Sequence, residues 1–244
     1  MIRKENELNY STLKVLVTGG TRGIGLAIVK AFLSKGSKVV TTGRTQNVDV
    51  PKGVVCRSVD FIDPIGTKSF LEEVKKMNID ILINNAGINH ISSFEKIHPN
   101  QFDMVQEVNV RVPFLLCQAV IPTMKKKKWG RIVNITSIFG IVSKEYRASY
   151  SASKFALDGM TSALAAEVAK YGILANCVAP GVVDTELTRR VLGRKGMSDM
   201  ISKIPMGRLG TPEEIAAFVV WLAGPDNTYI SGQNIAIDGG FTRV

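Results

Sequence analysis

Two residues in the middle of the chain have the types and spacing needed to exchange a proton with a carbonyl or alcohol group. Tyr150 and Lys154 are four residues apart in a stretch of small and apolar residues typical of a helix, so both side chains are expected on one helical face. A phenol has an ordinary pKa of about 10, and a nearby ammonium group lowers that pKa by favouring the phenolate. Tyr150 is therefore a candidate general acid or base.

Ser137 is a third candidate. It ends the stretch 131–137, which is typical of a buried strand, and a hydroxyl at the carboxyl end of a strand can donate a hydrogen bond to a substrate oxygen. A Tyr-x-x-x-Lys pair by itself is more often a pair of surface residues. The catalytic interpretation of the pair depends on what precedes it in the chain.

A glycine-rich turn precedes it near the N-terminus. The residues 13–18 predict a strand and 26–33 a helix closed by Gly36, and the turn between them contains Gly19, Gly23 and Gly25. Backbone amides of such a turn, together with the positive end of the helix, bind the pyrophosphate of a dinucleotide. The spacing Gly-x3-Gly-x-Gly differs from the common Gly-x-Gly-x2-Gly, so the prediction depends on the position of the turn between a strand and a helix.

The end of the second predicted strand, residues 37–42, indicates which dinucleotide is bound. NAD-binding units place an acid about 20 residues beyond the glycine turn, where it binds the ribose 2′-hydroxyl. This chain has Gly43 and Arg44 there, and Arg22 lies in the glycine turn. Two guanidinium groups favour a 2′-phosphate, so NADP (NADPH) is predicted and NAD is less favoured. The alternative is that both arginines are solvated surface residues.

Strands and helices alternate along the rest of the chain. Further strands are predicted at 54–59, 79–83, 173–179 and 234–238, and helices at 65–76, at 99–127, from 150 onward, and after Thr211 and Pro212. This order predicts an α/β fold: residues 13–244 form one Rossmann-type domain, a doubly wound parallel sheet of about seven strands with helices on both faces. Residues 1–12 are expected to be a polar extension, and the polar segment 186–210 a mobile segment over the site.

Ligands of doubly wound sheets bind beyond the carboxyl ends of the strands. The glycine turn, Asn85, Ser137 and Gly181 all fall at such ends. Asp60, at the end of the third strand, could accept a hydrogen bond from an adenine amino group. Asn109 lies in an apolar helical stretch, where its amide must be satisfied by a water molecule or a neighbouring carbonyl.

Composition excludes several other classes. The net charge is +10, but the one dense basic run, Lys125–Lys128, lies at a predicted helix end, where cations complement the helix dipole, so no nucleic-acid site is expected. No apolar run reaches the roughly 20 residues that span a bilayer, and the N-terminus does not resemble a signal peptide. Cys56, Cys117 and Cys177 lack metal-ligand spacing, so no metal is expected and reduced core thiols of a cytoplasmic protein are predicted.

From about Leu13 to its end, the chain resembles the short-chain dehydrogenase/reductase family. The resemblance is carried, in the family's order, by the glycine turn after Thr18, by Asn84-Asn85-Ala86-Gly87, by Ser137, by Tyr150-x3-Lys154 and by Pro180-Gly181. It implies that Tyr150 is the acid/base, that Ser137 positions the substrate oxygen, that Lys154 also binds the nicotinamide ribose, and that Asn109 connects Lys154 to a proton relay of water molecules. It further implies a cofactor site formed by Gly19, Thr21, Arg22, Gly23, Ile24, Gly25, Arg44, Asp60, Phe61, Asn85, Ala86, Gly87, Tyr150, Lys154, Pro180, Gly181, Val183 and Thr185.

Within that family the chain looks similar to the branch of 3-oxoacyl-(acyl-carrier-protein) reductases. The similar stretches, residues 130–133, 178–181, 230–233 and 238–240, are shared with many sugar, polyol and steroid dehydrogenases. The carrier-docking arginines of the branch correspond here to Lys128 and Tyr171, a departure that argues against carrier docking. Family members are commonly tetramers, paired through the helices near 101–127 and 150–170 and through the C-terminal strand and helix, so a homotetramer or dimer is expected.

The main hypothesis is an NADPH-dependent ketoreductase that acts on a small-molecule carbonyl substrate. One alternative is a sugar or polyol dehydrogenase that uses the same site in the oxidative direction. The other is a non-catalytic, NADP-sensing interaction protein. Such a sensor need retain only the phosphate site, so the presence of Ser137, Tyr150 and Lys154 argues against it.

Overall fold

Seven parallel strands form one sheet in the computed structural model, which describes residues 9–45 and 49–244. The order of the strands across the sheet is β3-β2-β1-β4-β5-β6-β7. It reverses between β1 and β4, which opens a crevice at the carboxyl ends of these two strands. The strands are β1 (Lys14–Val17), β2 (Lys38–Gly43), β3 (Val55–Ser58), β4 (Ile81–Asn84), β5 (Gly130–Ile135), β6 (Ile173–Pro180) and β7 (Asn234–Ile237).

Helices cover both faces of this sheet. Helices α1 and α7 pack together on one face, and α2, α4 and α5 contribute to the core on the other. The predicted doubly wound parallel fold is therefore confirmed. The helices are α1 (Gly23–Ser34), α2 (Pro64–Lys76), α3 (Pro99–Gln106), α4 (Val112–Lys127), α5 (Ala148–Val168), α6 (Glu186–Ile201) and α7 (Pro212–Leu222).

The central strands are buried on both faces, which explains their nearly continuous apolar sequences. Val15 and Val17 of β1 belong to the core beneath α1 and α7, whereas Leu16 belongs to the core on the opposite face. Leu82 of β4 and Ile132 of β5 pack in register with Leu16 in the second core. This alternation shows that side chains on both faces of the central strands are buried.

The predicted helix at 99–127 contains an irregularity. The α-helical pattern gives way at Glu107–Arg111 to a π-helical turn, and Asn109 lies in this turn. The whole run, Pro99–Lys127, has 29 residues and a window of mean hydropathy 1.2, so by length and composition alone it could cross a membrane. Half of that window is buried in the protein, and α4 packs against α2, as a core helix does.

Within the segment 186–210, residues 186–201 form α6, which is bent at Gly193 (φ 62°, ψ −177°). Its apolar residues do not follow one helical face, so periodicity could not reveal it. The expected mobility of this segment stays a prediction. Cys56 is not a core thiol, because it is only partly buried on the edge strand β3, whereas Cys117 and Cys177 are buried.

The start of the described chain packs against the domain. The hydroxyl of Tyr10 donates to the carbonyl of Val220 at 3.1 Å, and its ring lies 6.3 Å from that of Phe32. Residues 1–8 of the expected extension lie outside the described residues. Helix α7 begins as predicted, because Thr211 and Glu214 form a capping box with Pro212 in the first turn.

Candidate active site

Helix α5 carries two of the four predicted catalytic side chains in its first two turns. Lys154 is 4% exposed, and its Nζ donates to the carbonyl of Ile135, at the end of β5, at 2.8 Å. The same Nζ lies 5.5 Å from the centre of the Tyr150 ring. The structure thus places Tyr150 and Lys154 on one face of α5, at the carboxyl end of the central sheet.

Ser137 lies beside this face. It follows β5 and caps a short 3-10 turn, with its Oγ accepting from the amide of Phe139 at 3.2 Å. A hydrogen bond between the side chains of Ser137 and Tyr150 lowers the pKa of the phenol. The two hydroxyls are therefore neighbours, which gives one substrate oxygen access to both.

The pKa of Tyr150 differs from the sequence expectation. Burial, the largest cause, raises it above its ordinary value, while the Ser137 hydrogen bond and the charge of Arg147 act in the opposite direction. The sequence assigns the lowering effect to Lys154, but that ammonium is directed at Ile135, and burial lowers its own pKa to about 8. Sequence reasoning missed Arg147 entirely, although it stands one helical turn before Tyr150.

Asn109 is fully buried in the π-helical turn. Its Oδ1 accepts from the amide of Ile88 at 2.9 Å, and its Nδ2 donates to the carbonyl of Ile88 at 2.9 Å and to Oγ of Ser153 at 3.0 Å. Ser153 in turn donates to the carbonyl of Tyr150 at 2.7 Å. The amide therefore connects the segment after β4 to the first turns of α5, as a buried amide with satisfied donors and acceptor.

The hydrogen bonds of Asn109 bear on the expected proton relay. A Cβ added to Gly87 would lie 3.3 Å from Oδ1 of Asn109 and 3.7 Å from Nζ of Lys154, so both polar groups flank this glycine. The described hydrogen bonds do not join the two groups directly. The relay role of Asn109 stays a prediction.

The glycine turn is held by hydroxyl groups at the strand ends. Oγ1 of Thr42 accepts from the amide of Gly19 at 3.0 Å, and Oγ1 of Thr41 accepts from the amide of Gly20 at 3.0 Å. On the other side, Nδ2 of Asn85 donates to the carbonyls of Thr18 and Gly19. The turn is thus tied to both β2 and β4. Sequence reasoning did not single out these threonines, although hydroxyls at the ends of adjacent strands are a signal that could have identified them.

This turn has the shape and polarity of a pyrophosphate cradle. Gly19 and Gly23 have positive φ angles of 67° and 53°, and a Cβ on Gly25 would overlap the carbonyl oxygen of Gly19. Arg22 caps α1 without a side-chain hydrogen bond, so the cap side chain does not occupy the amides of the first turn. Backbone amides at a helix N-terminus bind anions, so these residues fit the pyrophosphate of a nicotinamide dinucleotide.

The predicted 2′-phosphate residues lie at the adjoining edge. Arg22 and Arg44 are both exposed, and the Thr41 and Thr42 hydrogen bonds hold the turn that carries Arg22 against the strand that leads to Arg44. Gly43 pairs in register with Ser58 of β3. The backbone segments that carry the two arginines are thus held together, and their binding of a 2′-phosphate stays a prediction.

The remaining predicted cofactor residues have different environments. Asp60 is exposed and accepts from the amide of Ile62, whereas the ring of Phe61 is buried against Phe70, so only the backbone of Phe61 is available to a ligand. Thr185 caps α6, and its methyl group lies 3.6 Å from a Cβ placed on Gly23, so α6 starts over the glycine turn. Those that follow β1, β4 and β6 lie at the carboxyl ends of these strands: Thr21, Ile24, Ala86, Gly87, Pro180, Gly181 and Val183.

Across residues 9–45 and 49–244, no group of three or more His, Cys, Asp or Glu side chains is arranged to hold a metal ion. The polar groups of the site are hydroxyls, amides and cations, which suit an anionic organic cofactor and a neutral or anionic substrate.

Comparisons with known proteins agree with this geometry. A family model described as enoyl-(acyl carrier protein) reductase matches residues 19–242. The 3-oxoacyl-(acyl-carrier-protein) reductase of Escherichia coli (strain K12) is 34% identical over 248 residues, with 97% of this chain and 100% of that protein covered. The enzyme of the same name from Aquifex aeolicus (strain VF5) is 36% identical over 237 residues, with 92% and 95% covered.

Solved structures of similar proteins contain nicotinamide cofactors. A gluconate 5-dehydrogenase from Burkholderia cenocepacia J2315, in complex with NADP and tartrate, has a TM-score of 0.86 and 28% identity and covers 95% of this chain and 96% of its own. A 4-hydroxyisoleucine dehydrogenase complexed with NADH has a TM-score of 0.89 and 32% identity, with 95% and 99% covered. The chain belongs to the short-chain dehydrogenase/reductase family and is an oxidoreductase that acts on alcohol or carbonyl groups with a nicotinamide cofactor.

Proposed function

We propose that the protein is an NADPH-dependent ketoreductase that reduces a carbonyl to a secondary alcohol. The observation that carries this proposal is the position of Ser137, Tyr150 and Lys154 at the same sheet edge as the glycine turn. When NADPH is bound in that turn, it supplies the hydride. The side chains of this chain then supply the proton and orient the substrate.

Each side chain has a distinct task in this proposal. The Ser137 hydroxyl donates a hydrogen bond to the substrate oxygen and holds it beside the phenol. Tyr150 donates its proton to that oxygen as negative charge develops on it. Lys154, whose pKa of about 8 lies near neutrality, is suited to bind the ribose and to return a proton to the phenolate. Asn109 holds the first turns of α5 through Ser153.

The structure supports two classes of carbonyl substrate. The named relatives favour a 3-oxoacyl thioester, since two of them are 3-oxoacyl-(acyl-carrier-protein) reductases. Tyr171 stands where that branch has a carrier-docking arginine, but the surface around it is still basic. The Nζ atoms of Lys125 and Lys170 lie 4.5 and 5.4 Å from the centre of its ring. A keto acid, the oxidised form of a hydroxy or polyhydroxy acid, is the second class, favoured by the gluconate 5-dehydrogenase structure and by a cation beside the catalytic tyrosine.

A serine substitution tests the task of Ser137. We expect Ser137→Ala to lower kcat/KM by roughly 10²–10³-fold, the range seen when one donor to a developing oxyanion is removed. The variant loses the hydrogen bonds of Oγ with the amide of Phe139 and with the Tyr150 side chain, each a contribution of about 1 kcal/mol, so its unfolding temperature should fall only modestly. Steady-state kinetics and thermal unfolding are measured together. A large fall in unfolding temperature with near-normal turnover would show that Ser137 is structural.

The cofactor preference can be reversed at the end of β2. A hydrogen bond to a charged group contributes about 1.5–3 kcal/mol, so even one Arg–phosphate contact gives about tenfold or more preference for NADPH. Gly43→Asp combined with Arg44→Ala replaces attraction with repulsion, and we expect the double variant to prefer NADH. Titration of both cofactors into both proteins gives the four dissociation constants. Equal affinities in the wild type would show that Arg22 and Arg44 are ordinary surface charges.

We also propose that the chain assembles as a homotetramer or dimer in the cytoplasm. One face of α5 exposes Phe155 together with small residues, and Gly159 has open space above it. Phe114 of α4 is 44% exposed, and Phe155 is 47% exposed. An exposed apolar face on two long helices favours a second copy as its partner.

A further inference from the structure

Arg147 is a cation beside the catalytic tyrosine, and it has no role in the proton transfer proposed above. The amide of Ser151 donates to its carbonyl at 2.7 Å, so Arg147 stands one turn before Tyr150 at the start of α5. Side chains three residues apart on a helix have Cβ atoms about 5–6 Å apart. Its guanidinium carbon lies 5.8 Å from the centre of the Phe139 ring, which follows Ser137. Arg147 is also close enough to Tyr150 for the charge of its guanidinium to lower the pKa of the phenol.

The guanidinium of Arg147 also lacks an acidic partner. Within the described residues it forms no ion pair, as is also the case for Arg22 and Arg44, but those two are exposed to solvent whereas Arg147 is not. It is half-buried, and burial lowers its pKa, while the phenol of Tyr150 acts in the opposite direction. Partial burial removes some of the hydration of this cation, and an anionic ligand would compensate for that loss.

The neighbouring cleft has a matching charge. It lies between the loop after β5 and the end of α6, and Phe139 lines it together with Lys144 and Lys203. Glu145 is the acid among its lining residues, so the cleft and Arg147 together carry a net positive charge. This charge attracts anions to the surface beside Phe139, the residue whose ring lies near Arg147.

We infer that Arg147 binds a carboxylate of the substrate, and that this carboxylate lies only a few bonds from the reacting carbonyl carbon. The inference rests on the proposed ketoreductase function and selects a small keto acid, reduced to a hydroxy acid, as the substrate class. A carrier-borne thioester presents its carbonyl at the end of a long uncharged arm, so it places no anion at this distance. Guanidinium groups bind carboxylates through two parallel hydrogen bonds, which would also fix the face of the carbonyl.

The test compares acids with their esters. Acetoacetate and other small keto acids, each paired with its methyl ester, are reduced with NADPH by the wild type, by Arg147→Gln and by Arg147→Lys. We expect the wild type to prefer at least one acid over its ester by tenfold or more in kcat/KM. Arg147→Gln should abolish that preference, and Arg147→Lys should restore part of it. Lys30→Gln, which removes an exposed charge from α1, is the matched control and should retain the preference.

The ratio of kcat/KM for the acid to kcat/KM for its ester distinguishes carboxylate binding by Arg147 from a structural role. Loss of Arg147 also removes a charge that lowers the pKa of Tyr150, so a common fall in kcat for acid and ester is expected in addition. An equal fall for both, with no change of the ratio, would overturn the inference. So would a wild type that reduces esters or thioesters as well as the acids.

A binding measurement keeps the inference distinct from the reaction itself. Tartrate and oxalate are titrated calorimetrically into the protein with NADPH present. We expect the wild type and Lys30→Gln to bind these acids, and the affinity to be tenfold or more weaker in Arg147→Gln. Binding without turnover of any carbonyl compound would contradict the proposed function but support the carboxylate site. Turnover of keto acids with no effect of Arg147→Gln on either the kinetics or the binding would support the proposed function but contradict the carboxylate site.

Discussion

Tyr150→Phe is expected to lower kcat by roughly 10²–10⁴-fold, the range that general acid–base catalysis contributes. The phenylalanine ring keeps the contacts of α5 with its surroundings but removes the proton that the phenol holds beside Ser137 for transfer to the substrate oxygen. The glycine turn does not depend on this hydroxyl, because its amides and carbonyls bond to Thr41, Thr42 and Asn85. NADPH affinity should therefore change little.

The measurement combines single-turnover kinetics with fluorescence titration of NADPH. Near-normal turnover in Tyr150→Phe would remove the phenol from the mechanism. The pH profile supplies a second readout. Because burial raises the pKa of Tyr150, the phenol is the protonated form at neutral pH, and reduction should slow at alkaline pH as this proton is lost. The residual activity of Tyr150→Phe should lack that alkaline decline.

Lys154→Met is expected to abolish most turnover and at the same time to stabilise the fold at pH 7. Burial lowers the pKa of Lys154 from 10.5 to about 8, so the folded state holds its charge less readily than the unfolded state. At 1.36 kcal/mol per unit, this difference costs about 3 kcal/mol at neutral pH. The bond to the carbonyl of Ile135 would be lost in the variant, which offsets about 1 kcal/mol of the gain.

The pH dependence of stability has a definite sign. Below pH 8 the lysine is charged in both states, so the cost of burial is fully present. Between pH 8 and pH 10.5 the folded state has released its proton while the unfolded state still binds it, so the wild type gains stability as the pH rises. Urea unfolding gives the free energy of unfolding of both proteins at pH 7 and pH 10. The excess stability of Lys154→Met over the wild type should be smaller at pH 10 than at pH 7. A constant difference, or a less stable variant at pH 7, would contradict this account. Lys30→Met on the exposed face of α1 is the control.

Local sequence patterns determined the fold class and the order of the elements. Strands such as 79–83 are apolar throughout because both faces of the sheet are covered, and Thr211, Pro212 and Gly36 mark helix ends through short-range backbone geometry. The family resemblance is carried by motifs at fixed places in the chain, and these motifs contain Ser137, Tyr150 and Lys154 themselves. Such signals act over a few residues, so the sequence displays them directly.

The tertiary structure alone decided the electrostatics of the site. Whether Lys154 lowers the pKa of Tyr150 depends on where its ammonium points, and the carbonyl that it meets, that of Ile135, belongs to a different element. Burial, which raises one pKa and lowers the other, is a property of the packed sheet edge and not of the spacing between the residues. The same holds for Arg147, whose position against Phe139 results from the meeting of α5 with the turn after β5. The π-helical turn at Asn109 likewise contains a contact with a distant residue, Ile88, and α6 has no periodic pattern that local sequence could reveal.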